Sequence, residues 1–377
     1  MKQIKTGIIG VGFIGAVHIE TLRRLGFINI TAICDPIGAK AKAEALHIEK
    51  YYSDYKEMIA REDLDFIHIC TPNNTHFEIA SYAISHNINV ILEKPMTVTI
   101  EEAEKLVELV EKYHVIAAIN FHNRMYPATH FLKEQIKTGK LGDIISVHGS
   151  YLQDWLLYDT DYSWRLISSE SGNTRAIADI GSHWIDLVEY TTGLKVSEVM
   201  ADFSTVYKTR KKPLSGGDTF SVNETSEFTE IPINTEDMSS LLLRFSNGAL
   251  GSCFISQMFA GKKNKIQLFV GGTESSAEWD LDDSNNLIFG HRNSPNETIT
   301  KDASLMGQKT AGLISYPPGH GEGFADAIKQ NFNQIYNKYL NRELETDFAT
   351  FKDGLREMIL CEKILESSQK QKFIKIN

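Results

Sequence analysis

Three groups of residues in this sequence have the types and spacing that chemistry requires. Glycines recur in the run at 10–15, a lysine at position 94 follows an apolar segment, and Asp179 stands four residues before His183. Glycines after a strand let phosphate groups approach the backbone, and a lysine supplies positive charge. A histidine, whose unperturbed pKa is about 6.5, can take a proton from a hydroxyl near neutral pH. Phosphate binding and proton transfer are therefore the chemistry that these residues indicate.

The glycine-rich run follows the first strand candidate directly. Its sequence is Gly10–Val–Gly12–Phe13–Ile14–Gly15, and helical periodicity follows it. The first glycine allows a tight turn, the second lets a pyrophosphate approach the backbone, and the third lets helix and strand pack closely. Asp35 ends the next strand about 20 residues later, where a ribose-binding carboxylate is expected. An ordinary strand-helix turn is the alternative, but this context predicts a dinucleotide site.

Asp35 also predicts which dinucleotide binds. A carboxylate accepts hydrogen bonds from the free ribose hydroxyls of NAD and repels the extra phosphate of NADP. The residues at 36–39 are not basic, and Lys40 is the first cation after Asp35. The sequence therefore favours NAD, with NADP as the second possibility.

The glycine turn belongs to a segment, ending near residue 121, in which β-branched runs alternate with helical periodicity. This pattern is typical of parallel strands joined by crossover helices. The strand candidates are Ile4–Gly10, Ile30–Cys34, Asp65–Cys70, Val90–Leu92 and Val115–Phe121. Thr71, Pro72 and Asn73 follow one of these strands, so they are expected at the carboxyl edge of the sheet, where ligands bind in open α/β folds. A simple turn is the alternative for these three residues.

Beyond about Asn123, strand candidates follow one another with a single early helix, around Ile180–Thr191. They are Ile144–Tyr151, Ser239–Phe245, Gly248–Gln257 and Lys265–Val270. Asn247–Gly248 indicates a hairpin, and Lys208–Asn234 has little periodicity, which predicts a surface connection. We predict an α/β fold with a dinucleotide-binding domain at 1–122. A second domain at 123–349 has a large open, mostly antiparallel sheet, and a C-terminal helix and tail at 350–377 pack back on the first domain.

Bulk properties exclude several classes of protein. A net charge of −10 disfavours broad binding to nucleic acid or anionic membranes, and no apolar run approaches the length of a membrane span. The cysteines lie far apart without a CxxC pair, which suits reduced thiols better than a disulfide framework or zinc site. We expect a cytoplasmic protein that binds small molecules, with neither a nucleic-acid nor a membrane partner.

Glu93–Lys94–Pro95 after an apolar strand is the motif that suggests a family. With the glycine turn, Thr71–Pro72–Asn73 and Asp179–Ile–Gly–Ser–His183, it occurs in an order and spacing that resemble the glucose-fructose oxidoreductase and inositol dehydrogenase family, called Gfo/Idh/MocA. The resemblance covers essentially the whole chain. It implies a Rossmann domain, an α/β domain with a large open sheet, and an active site in the cleft between them. The cofactor-binding residues expected from the motifs and their surroundings are Gly10, Gly12, Phe13, Ile14, Gly15, Asp35, Thr71, Pro72, Asn73, His76, Glu93, Lys94 and Arg124.

The resemblance implies that Lys94, Asp179 and His183 are catalytic. Asp179 and His183 would share one face of the helix that they begin, and we choose His183 as the base. Lys94 would bind the substrate hydroxyl and the nicotinamide ribose, and its charge would lower the pKa of the alcohol, while Asp179 would orient the substrate or the imidazole. Taken singly, Lys94 would be a solvated loop lysine and His183 a core or capping histidine. A metal site at Asp179, His183 and Asp186 lacks a third spaced His or Cys ligand, so no metal is predicted.

Two segments depart from the family pattern. Ser171–Gly–Asn–Thr–Arg175 stands where a run of glycines is usual, and Arg175 would narrow or charge the pocket. The segment at 123–127 matches the usual Arg-aromatic-x-Pro theme loosely. Arg124 would either contact the cofactor or pin the domain junction, and the structural role is slightly favoured.

Aromatic and polar residues between 153 and 165 indicate the substrate class. Trp155, Trp164 and Arg165 stand close in sequence, and sugars present flat C–H faces to aromatic rings and hydroxyls to polar groups. Covering the sheet face is a nearly equal alternative for the tryptophans. His320, in a glycine-rich loop, is a further substrate ligand by this interpretation, or a helix cap. The expected substrate-binding residues are Lys94, Trp155, Trp164, Arg165, Asp179, His183 and His320.

The leading hypothesis is an NAD(P)-dependent dehydrogenase acting on a CH–OH group of a sugar, glycoside or cyclitol. The family resemblance allows a second, an NAD-dependent glycoside hydrolase that oxidises a sugar carbon transiently and eliminates the aglycone. The third is a non-catalytic protein that binds sugar or NAD. An exposed sheet face in the second domain would favour a homodimer or homotetramer.

Overall fold

The computed structural model describes residues 3–214 and 227–376. These residues form two compact units. The first comprises Met1–His122 and Ala327–Met358, and the second comprises Asn123–Asp326 and Ile359–Asn377. The segment 327–349, which the sequence analysis counted with the second domain, therefore lies with the first unit. The predicted boundaries concern independently folding domains, and they stay a prediction.

A parallel six-stranded sheet with the order β3-β2-β1-β4-β5-β6 forms the centre of the first unit. This is the strand order of the Rossmann fold, so the predicted fold class is confirmed for this unit. The strands are β1 (Ile4–Ile9), β2 (Ile28–Cys34), β3 (Lys50–Tyr52), β4 (Phe66–Ile69), β5 (Asn89–Leu92) and β6 (Ala117–Ile119). The helices between them are α1 (Phe13–Leu25), α2 (Ala39–Ala45), α3 (Tyr55–Arg61), α4 (His76–Ser85) and α5 (Ile100–Tyr113).

The central strands of this sheet are buried on both faces. Every residue of β4 and of β5 is buried, which is usual where helices cover both faces of a parallel sheet. The short strand β3 was not predicted, because it has three residues and two of them are exposed. The buried core of the unit therefore fixes the carboxyl ends of β1, β4 and β5, which carry the glycine turn, Thr71 and Glu93.

The second unit contains a nine-stranded sheet in its described residues, with the order β16-β15-β14-β13-β7-β12-β11-β8-β17. Its pairs are antiparallel except β12 with β7, so the predicted large, mostly antiparallel sheet is confirmed. The strands of the unit are β7 (Ile144–Leu152), β8 (Val196–Ser204), β9 (Thr209–Pro213), β10 (Phe228–Pro232), β11 (Met238–Phe245), β12 (Leu250–Ser256), β13 (Lys265–Gly272), β14 (Ser276–Asp280), β15 (Asn286–Gly290), β16 (Glu297–Thr300) and β17 (Ile374–Lys375). Its helices include α6 (Pro127–Lys137), α7 (Ser168–Ser171), α8 (Ser182–Thr192) and α9 (Gln308–Ala311).

Two connections in the second unit can be compared with their predictions. The hairpin predicted at Asn247–Gly248 is confirmed: Gly248 has φ +89°, and Asn247 Oδ1 accepts a hydrogen bond of 3.0 Å from the Ala249 N–H. The predicted surface connection at Lys208–Asn234 is wrong where the structure describes it, because β9 and β10 pair there as an antiparallel ribbon. Residues 215–226 of that stretch lie outside the described residues.

Helix α8 is seated on the sheet through a large side chain and a glycine. Trp184 is fully buried, and its Nε1 donates to the Gln267 carbonyl of β13 at 2.9 Å. A Cβ at Gly149 of β7 would lie 2.0 Å from that carbonyl oxygen and 2.8 Å from Trp184 Nε1. Only glycine therefore allows the indole to reach the strand, and this contact positions the helix that carries His183.

The last two helices are α10 (Phe324–Leu340) and α11 (Phe351–Lys370). In the first unit, Phe332 and Tyr336 of α10 are fully buried, and Phe351 and Met358 of α11 join the core of the parallel sheet. In the second unit, the Ser367 hydroxyl near the end of α11 donates to the Val199 carbonyl of β8 at 3.1 Å. The tail strand β17 then pairs with β8. The tail predicted to pack on the first domain is thus an edge strand of the second unit.

Phe66 of β4 offers a test of how the first unit is held together. Its side chain is fully buried, and its ring centroid lies 4.5 Å from that of Tyr336 and 5.2 Å from that of Tyr339. Phe66→Ala is expected to lower the free energy of unfolding by about 3–5 kcal/mol, because it removes buried apolar contacts and leaves a cavity. Urea denaturation measures this. Ile37→Ala, at a side chain that is 77% exposed, is the control, and equal effects of the two changes would contradict the assignment.

Candidate active site

The glycine turn at 10–15 has the geometry that a close backbone approach requires. Gly10 has φ +85°, and a Cβ there would lie 2.8 Å from the Cys70 carbonyl. A Cβ at Gly15 would lie 2.1 Å from the Gly10 oxygen, whereas one at Gly12 would meet nothing within 4 Å. The first and third glycines are thus required by packing, and the second leaves room beside the start of α1. A pyrophosphate fits this cradle, since the helix amino terminus favours anions.

Asp35 stands at the carboxyl end of β2, beside the glycine turn. Its Oδ2 accepts hydrogen bonds from the Val11 N–H at 2.8 Å and from Lys42 Nζ at 2.7 Å, and its Oδ1 accepts one from the Ile37 N–H at 2.9 Å. The carboxylate is therefore fixed in the place expected for a ribose-binding group. Lys42 corrects the sequence analysis, which found no basic residue beside Asp35. The missed lysine lies seven residues further on, and helix α2 brings it back to the strand end.

The end of β4 and the turn after β5 are joined by His76. The imidazole is fully buried, with Nδ1 3.0 Å from the Pro95 oxygen and Nε2 2.9 Å from the Thr71 oxygen. Burial lowers the pKa of His76, although the backbone carbonyls oppose this. Both ring nitrogens face backbone carbonyls, so His76 joins the loops of Thr71 and Lys94. The expected contact of His76 with the cofactor stays a prediction.

Glu93 is a buried carboxylate directly before Lys94. Its Oε1 accepts hydrogen bonds from His18 Nε2 at 3.0 Å and Asn120 Nδ2 at 2.6 Å, and its Oε2 accepts one from the Lys94 N–H at 3.3 Å. Burial raises the pKa of Glu93, but the hydrogen bond and charge of His18, the charge of Lys94 and the Asn120 amide lower it further, to about 2. Glu93 is therefore ionised at neutral pH. These internal partners give Glu93 a supporting role for Lys94, and its expected contact with the cofactor stays a prediction.

Arg124 lies in the second unit and is paired. Its Nε donates to Asp186 Oδ2 at 2.9 Å, a second guanidinium nitrogen contacts Asp186 Oδ1, and its cation lies 5.1 Å from the Tyr190 ring centroid. Arg124 is 8% exposed and Asp186 is 2% exposed. The pair ties the start of α6 to α8, which supports the structural role of Arg124 and gives Asp186 a partner.

Asp179 and His183 lie on consecutive turns of one helical segment. Asp179 belongs to a turn of π-helix at Ile177–Gly181, and His183 is the second residue of α8. Arg165 Nε donates to Asp179 Oδ1 at 3.2 Å, and Gln257 Nε2 donates to Asp179 Oδ2 at 2.8 Å. Two donors therefore orient the Asp179 carboxylate. Single π-helical turns are frequent at functional sites.

Tyr151, at the end of β7, lies near both residues. Its ring centroid is 6.4 Å from that of His183, and burial, followed by the charge of Asp179, raises the pKa of its hydroxyl. The hydroxyl donates to Asn264 Oδ1 at 2.8 Å, and Gln153 Nε2 donates to the same oxygen at 3.0 Å. Tyr151 and Asn264 thus add polar groups near His183 and Asp179 that the sequence analysis did not identify.

The two tryptophans predicted to bind substrate are each held by a neighbour. Trp155 Nε1 donates to Gln153 Oε1 at 2.7 Å, and its ring packs against the small apolar cluster of Leu156 and Leu166. The Arg165 guanidinium lies 4.6 Å from the Trp164 ring centroid. Both indoles are partly exposed, and Arg165, which contacts the Trp164 ring, also donates to Asp179.

A buried carboxyl group supports the turn that carries Asp179. Glu236 Oε1 accepts hydrogen bonds from the Arg175 N–H at 2.9 Å and the Ile177 N–H at 2.8 Å. Burial raises the pKa of Glu236 to about 7, although these backbone donors oppose the rise. The Arg175 side chain is 1% exposed and pairs with Asp237, which also pairs with Arg210. The expectation that Arg175 charges the pocket is not met, because its guanidinium is buried and paired with Asp237 inside the unit.

His320 is exposed in the loop before α10. The loop is anchored by Glu322, whose Oε1 lies 2.6 Å from Lys301 Nζ and accepts the Tyr316 N–H at 3.0 Å. Both ends of this ion pair are buried. The structure therefore fixes the loop, and the contact of His320 with substrate stays a prediction.

The candidate residues fall into two sets. The first unit contains the glycine turn, Asp35, the Thr71 loop and Lys94, while the second contains Asp179, His183, Arg165, Trp155 and Trp164.

Among the described residues, no group of three His, Cys, Asp or Glu side chains is arranged to hold a metal ion. No helix in the described ranges has both the length and the apolar character of a membrane span. The two sets offer dinucleotide binding in one unit, and a carboxylate, an imidazole and aromatic faces in the other.

Family models match a segment of the chain in each of the two units. A family model described as the oxidoreductase family, NAD-binding Rossmann fold, matches residues 4–121. A model for the GFO/IDH/MocA C-terminal domain matches residues 129–278, and together the two ranges cover well over half of the chain.

Similar proteins include sugar and cyclitol dehydrogenases. Levoglucosan dehydrogenase from Pseudarthrobacter phenanthrenivorans is 27% identical over 393 residues, which cover 100% of this chain and 99% of the relative. Myo-inositol 2-dehydrogenase from Thermotoga maritima is 26% identical over 252 residues, 66% of this chain and 67% of the relative. A solved structure of levoglucosan dehydrogenase in complex with NADH and L-sorbose has a TM-score of 0.89 and 25% identity, covering 100% of each chain. This chain therefore belongs to the Gfo/Idh/MocA family of NAD-binding, Rossmann-fold oxidoreductases, as its motifs predicted.

Proposed function

We propose that the protein moves a hydride between NAD and a ring hydroxyl or keto group of a sugar, glycoside or cyclitol. The observation that carries this proposal is the arrangement around Asp179. Two donors orient its carboxylate, while His183, Tyr151 and two half-exposed indoles lie in the same unit. Sugars offer hydroxyls to such polar groups and C–H faces to such rings.

The cofactor half of the proposal is supported by the glycine cradle and Asp35. Gly12 leaves open space beside the start of α1, and Asp35 is held by two backbone N–H groups and Lys42. NAD, when bound, supplies the carbon that accepts or returns the hydride. The chain's own residues hold the pyrophosphate and ribose. The similar levoglucosan dehydrogenase with bound NADH and sorbose also supports this ligand pair.

The proton chemistry is assigned to three residues. We propose that His183 takes the hydroxyl proton, since an imidazole can do so near neutral pH. Asp179, oriented by Arg165 and Gln257, would hold a neighbouring substrate hydroxyl or the imidazole. Lys94 would bind the reacting oxygen and stabilise its developing negative charge. The proposal requires that Lys94 and His183 act on the same hydroxyl.

The proposal also covers the oligomeric state of the protein and the cellular compartment in which it works. Residues of β11 alternate between a buried face and an outer face of the sheet. On the outer face, Leu242 is 53% exposed and Leu250 of β12 is 62% exposed. His148 stacks on Phe269 with ring centroids 4.6 Å apart on the same outer face. We propose that a second copy of the chain covers this face in a homodimer or homotetramer. The four buried thiols suit the cytoplasm, which keeps them reduced.

The proposed activity is tested with purified protein, NAD and a panel of pyranoses, glycosides and inositols. NADH absorbance should rise with at least one member of the panel. Lys94→Ala should lower kcat about a thousandfold, because an electrostatic and proton-handling group is lost, and should leave the Kd for NAD within about threefold, as expected for a group aimed at the substrate.

Lys105→Ala is the matched control, because that lysine is exposed on α5 of the same unit. Turnover unchanged in Lys94→Ala would refute the role of Lys94. Release of sugar from a nitrophenyl glycoside without net NADH would instead identify the glycoside hydrolase. Ligand binding without any turnover would favour a non-catalytic protein.

Lys42 is expected to tune the choice of dinucleotide. The 2′-phosphate of NADP would meet both Asp35 and Lys42, whereas the ribose of NAD needs only the carboxylate. Lys42→Ala should therefore weaken NADP binding about tenfold through loss of a charge-assisted contact and leave NAD binding within about threefold. Fluorescence titration of both dinucleotides measures the two Kd values. Lys40→Ala, whose ammonium is 3.9 Å from Glu44, is the control, and tighter NADP binding in Lys42→Ala would contradict this assignment.

The outer face of the large sheet is tested through Leu242. Leu242→Asp places a charge where a second copy would bury the side chain, so it should shift the protein toward monomer. Sedimentation velocity over a range of concentrations reports the mass. Leu305→Asp, at a side chain that is 75% exposed outside the sheet, should not change it. A monomeric wild-type protein would overturn the proposed assembly.

A further inference from the structure

Five buried side chains of the first unit form a continuous hydrogen-bonded series that ends beside Lys94. We call it the Glu93 chain, and its members in order are Thr6, Tyr336, His68, His18 and Glu93. Thr6 Oγ1 lies 3.0 Å from Tyr336 OH, which lies 2.8 Å from His68 Nε2. His68 Nδ1 lies 2.8 Å from His18 Nδ1, and His18 Nε2 lies 3.0 Å from Glu93 Oε1. The first four members are fully buried and Glu93 is 8% exposed, so bulk water does not supply their partners.

The protonation states of Glu93 and His68 restrict where the hydrogens of the Glu93 chain can lie. Glu93 is ionised and therefore only accepts, because its pKa lies at about 2. His18 Nε2 must then carry a proton and donate it. Burial, followed by the charge of His18, lowers the pKa of His68 well below its ordinary value. His68 is therefore neutral and carries one proton.

Two arrangements of hydrogens satisfy all four hydrogen bonds between members of the Glu93 chain. With His18 neutral, His68 Nδ1 donates to His18 Nδ1, Tyr336 donates to His68 Nε2, and Thr6 donates to Tyr336. With His18 charged, each of these three hydrogen bonds reverses, and His68 carries its proton on Nε2. In both arrangements His18 Nε2 donates to Glu93. The tautomer of His68 therefore reports the charge of His18.

The Glu93 chain acts on the backbone of the Lys94 turn. Glu93 Oε2 accepts the Lys94 N–H at 3.3 Å, and on the other side of the lysine His76 Nδ1 bonds the Pro95 oxygen at 3.0 Å. Asn120, the second donor to Glu93 Oε1, is itself held by Asn331 Nδ2 at 3.0 Å. His18 is also fixed by an edge contact with Phe332, with ring centroids 4.7 Å apart. The peptide that carries Lys94 is thus clamped on both sides from within the unit.

We propose that His18 and His68 are positioning residues for Lys94: His18 orients the Glu93 carboxylate, His68 orients His18, and the carboxylate fixes the Lys94 peptide. The inference rests on the proposed function, because the position of Lys94 matters for turnover only if Lys94 acts on the substrate. Neither imidazole touches substrate or cofactor in this assignment. Their loss displaces the ammonium, and misplacing a reacting group by about 1 Å costs about a hundredfold in rate.

The protonation pattern is tested on the unaltered protein by NMR of a sample with ¹⁵N-labelled histidine. Resonances are assigned by comparison with His18→Gln and His68→Gln. The expected result is a proton on Nε2 of His18 and a neutral His68 with one proton, on Nδ1 or Nε2. A His18 without a proton on Nε2, or a His68 that carries both protons, would overturn the inference. This measurement requires no knowledge of the substrate.

The effect on Lys94 is tested by a pair of substitutions at His18. His18→Leu introduces an apolar side chain of similar size and removes the donor to Glu93. We therefore expect kcat to fall about a hundredfold while the Kd for NAD stays within about threefold. His18→Gln retains an amide N–H that can reach Glu93, and it should recover at least about tenfold of kcat. His86→Leu, at an exposed imidazole directly after the end of α4, is the matched control. If His18 contributed only to the stability of the fold, the substitutions would lower the folded fraction, and His18→Gln would not recover kcat.

Failure of the inference and failure of the proposed function give different results. If the wild-type protein turns over a sugar and His18→Leu has the same kcat, the inference is overturned and the function stands. If no sugar is turned over, the proposed function fails, and the NMR pattern still decides whether His18 holds Glu93. Loss of NAD binding in His18→Leu at unchanged folded fraction would also overturn the inference, because it would place His18 at the cofactor.

Discussion

A buried carboxylate stays ionised only where hydrogen-bond donors or cations replace the water that it has lost. Glu93 meets this condition through His18, Asn120 and the Lys94 N–H, and Asp186 meets it through Arg124. Glu322 meets it through Lys301 and backbone N–H groups. Each of these carboxylates fixes a segment that carries a candidate residue: the Lys94 turn, the helix of His183 and the loop of His320. The candidate residues of each unit are therefore held by internal charge pairing as well as by apolar packing.

Local signals in the sequence were sufficient for the parts of the fold that are encoded locally. The glycine turn, the β-branched strands before it and after it, and the Asn247–Gly248 hairpin each occupy a few consecutive residues, and the structure contains all of them. The Rossmann strand order and the mostly antiparallel second sheet follow from how such segments alternate. The strand β3 escaped prediction because three largely exposed residues carry no periodicity. The ribbon of β9 and β10 escaped because its strands are polar.

Long-range partners could not be predicted from spacing. Lys42 reaches Asp35 because α2 turns back toward the strand end, and Tyr151 meets Asn264 across more than a hundred residues of sequence. The sequence identified Glu93, His76 and Arg124 as residues of interest, but it could not show that each faces an internal partner. One signal was available and unused: His68 interrupts an otherwise apolar buried strand, and a polar residue in that position demands a partner. The joint action of Lys94 and His183 stays a prediction.

The carboxyl group of Glu236 makes the stability of the second unit depend on pH. Its pKa rises from 4.5 in an exposed glutamate to about 7 inside the fold, so between these values the folded chain binds a proton that the unfolded chain lacks. Stability from this group is therefore fully present below pH 4.5 and is lost as the pH rises through 7. The same carboxyl accepts the backbone N–H groups of Arg175 and Ile177 at the start of the Asp179 turn. Proton uptake thus accompanies the folding of the segment that presents Asp179.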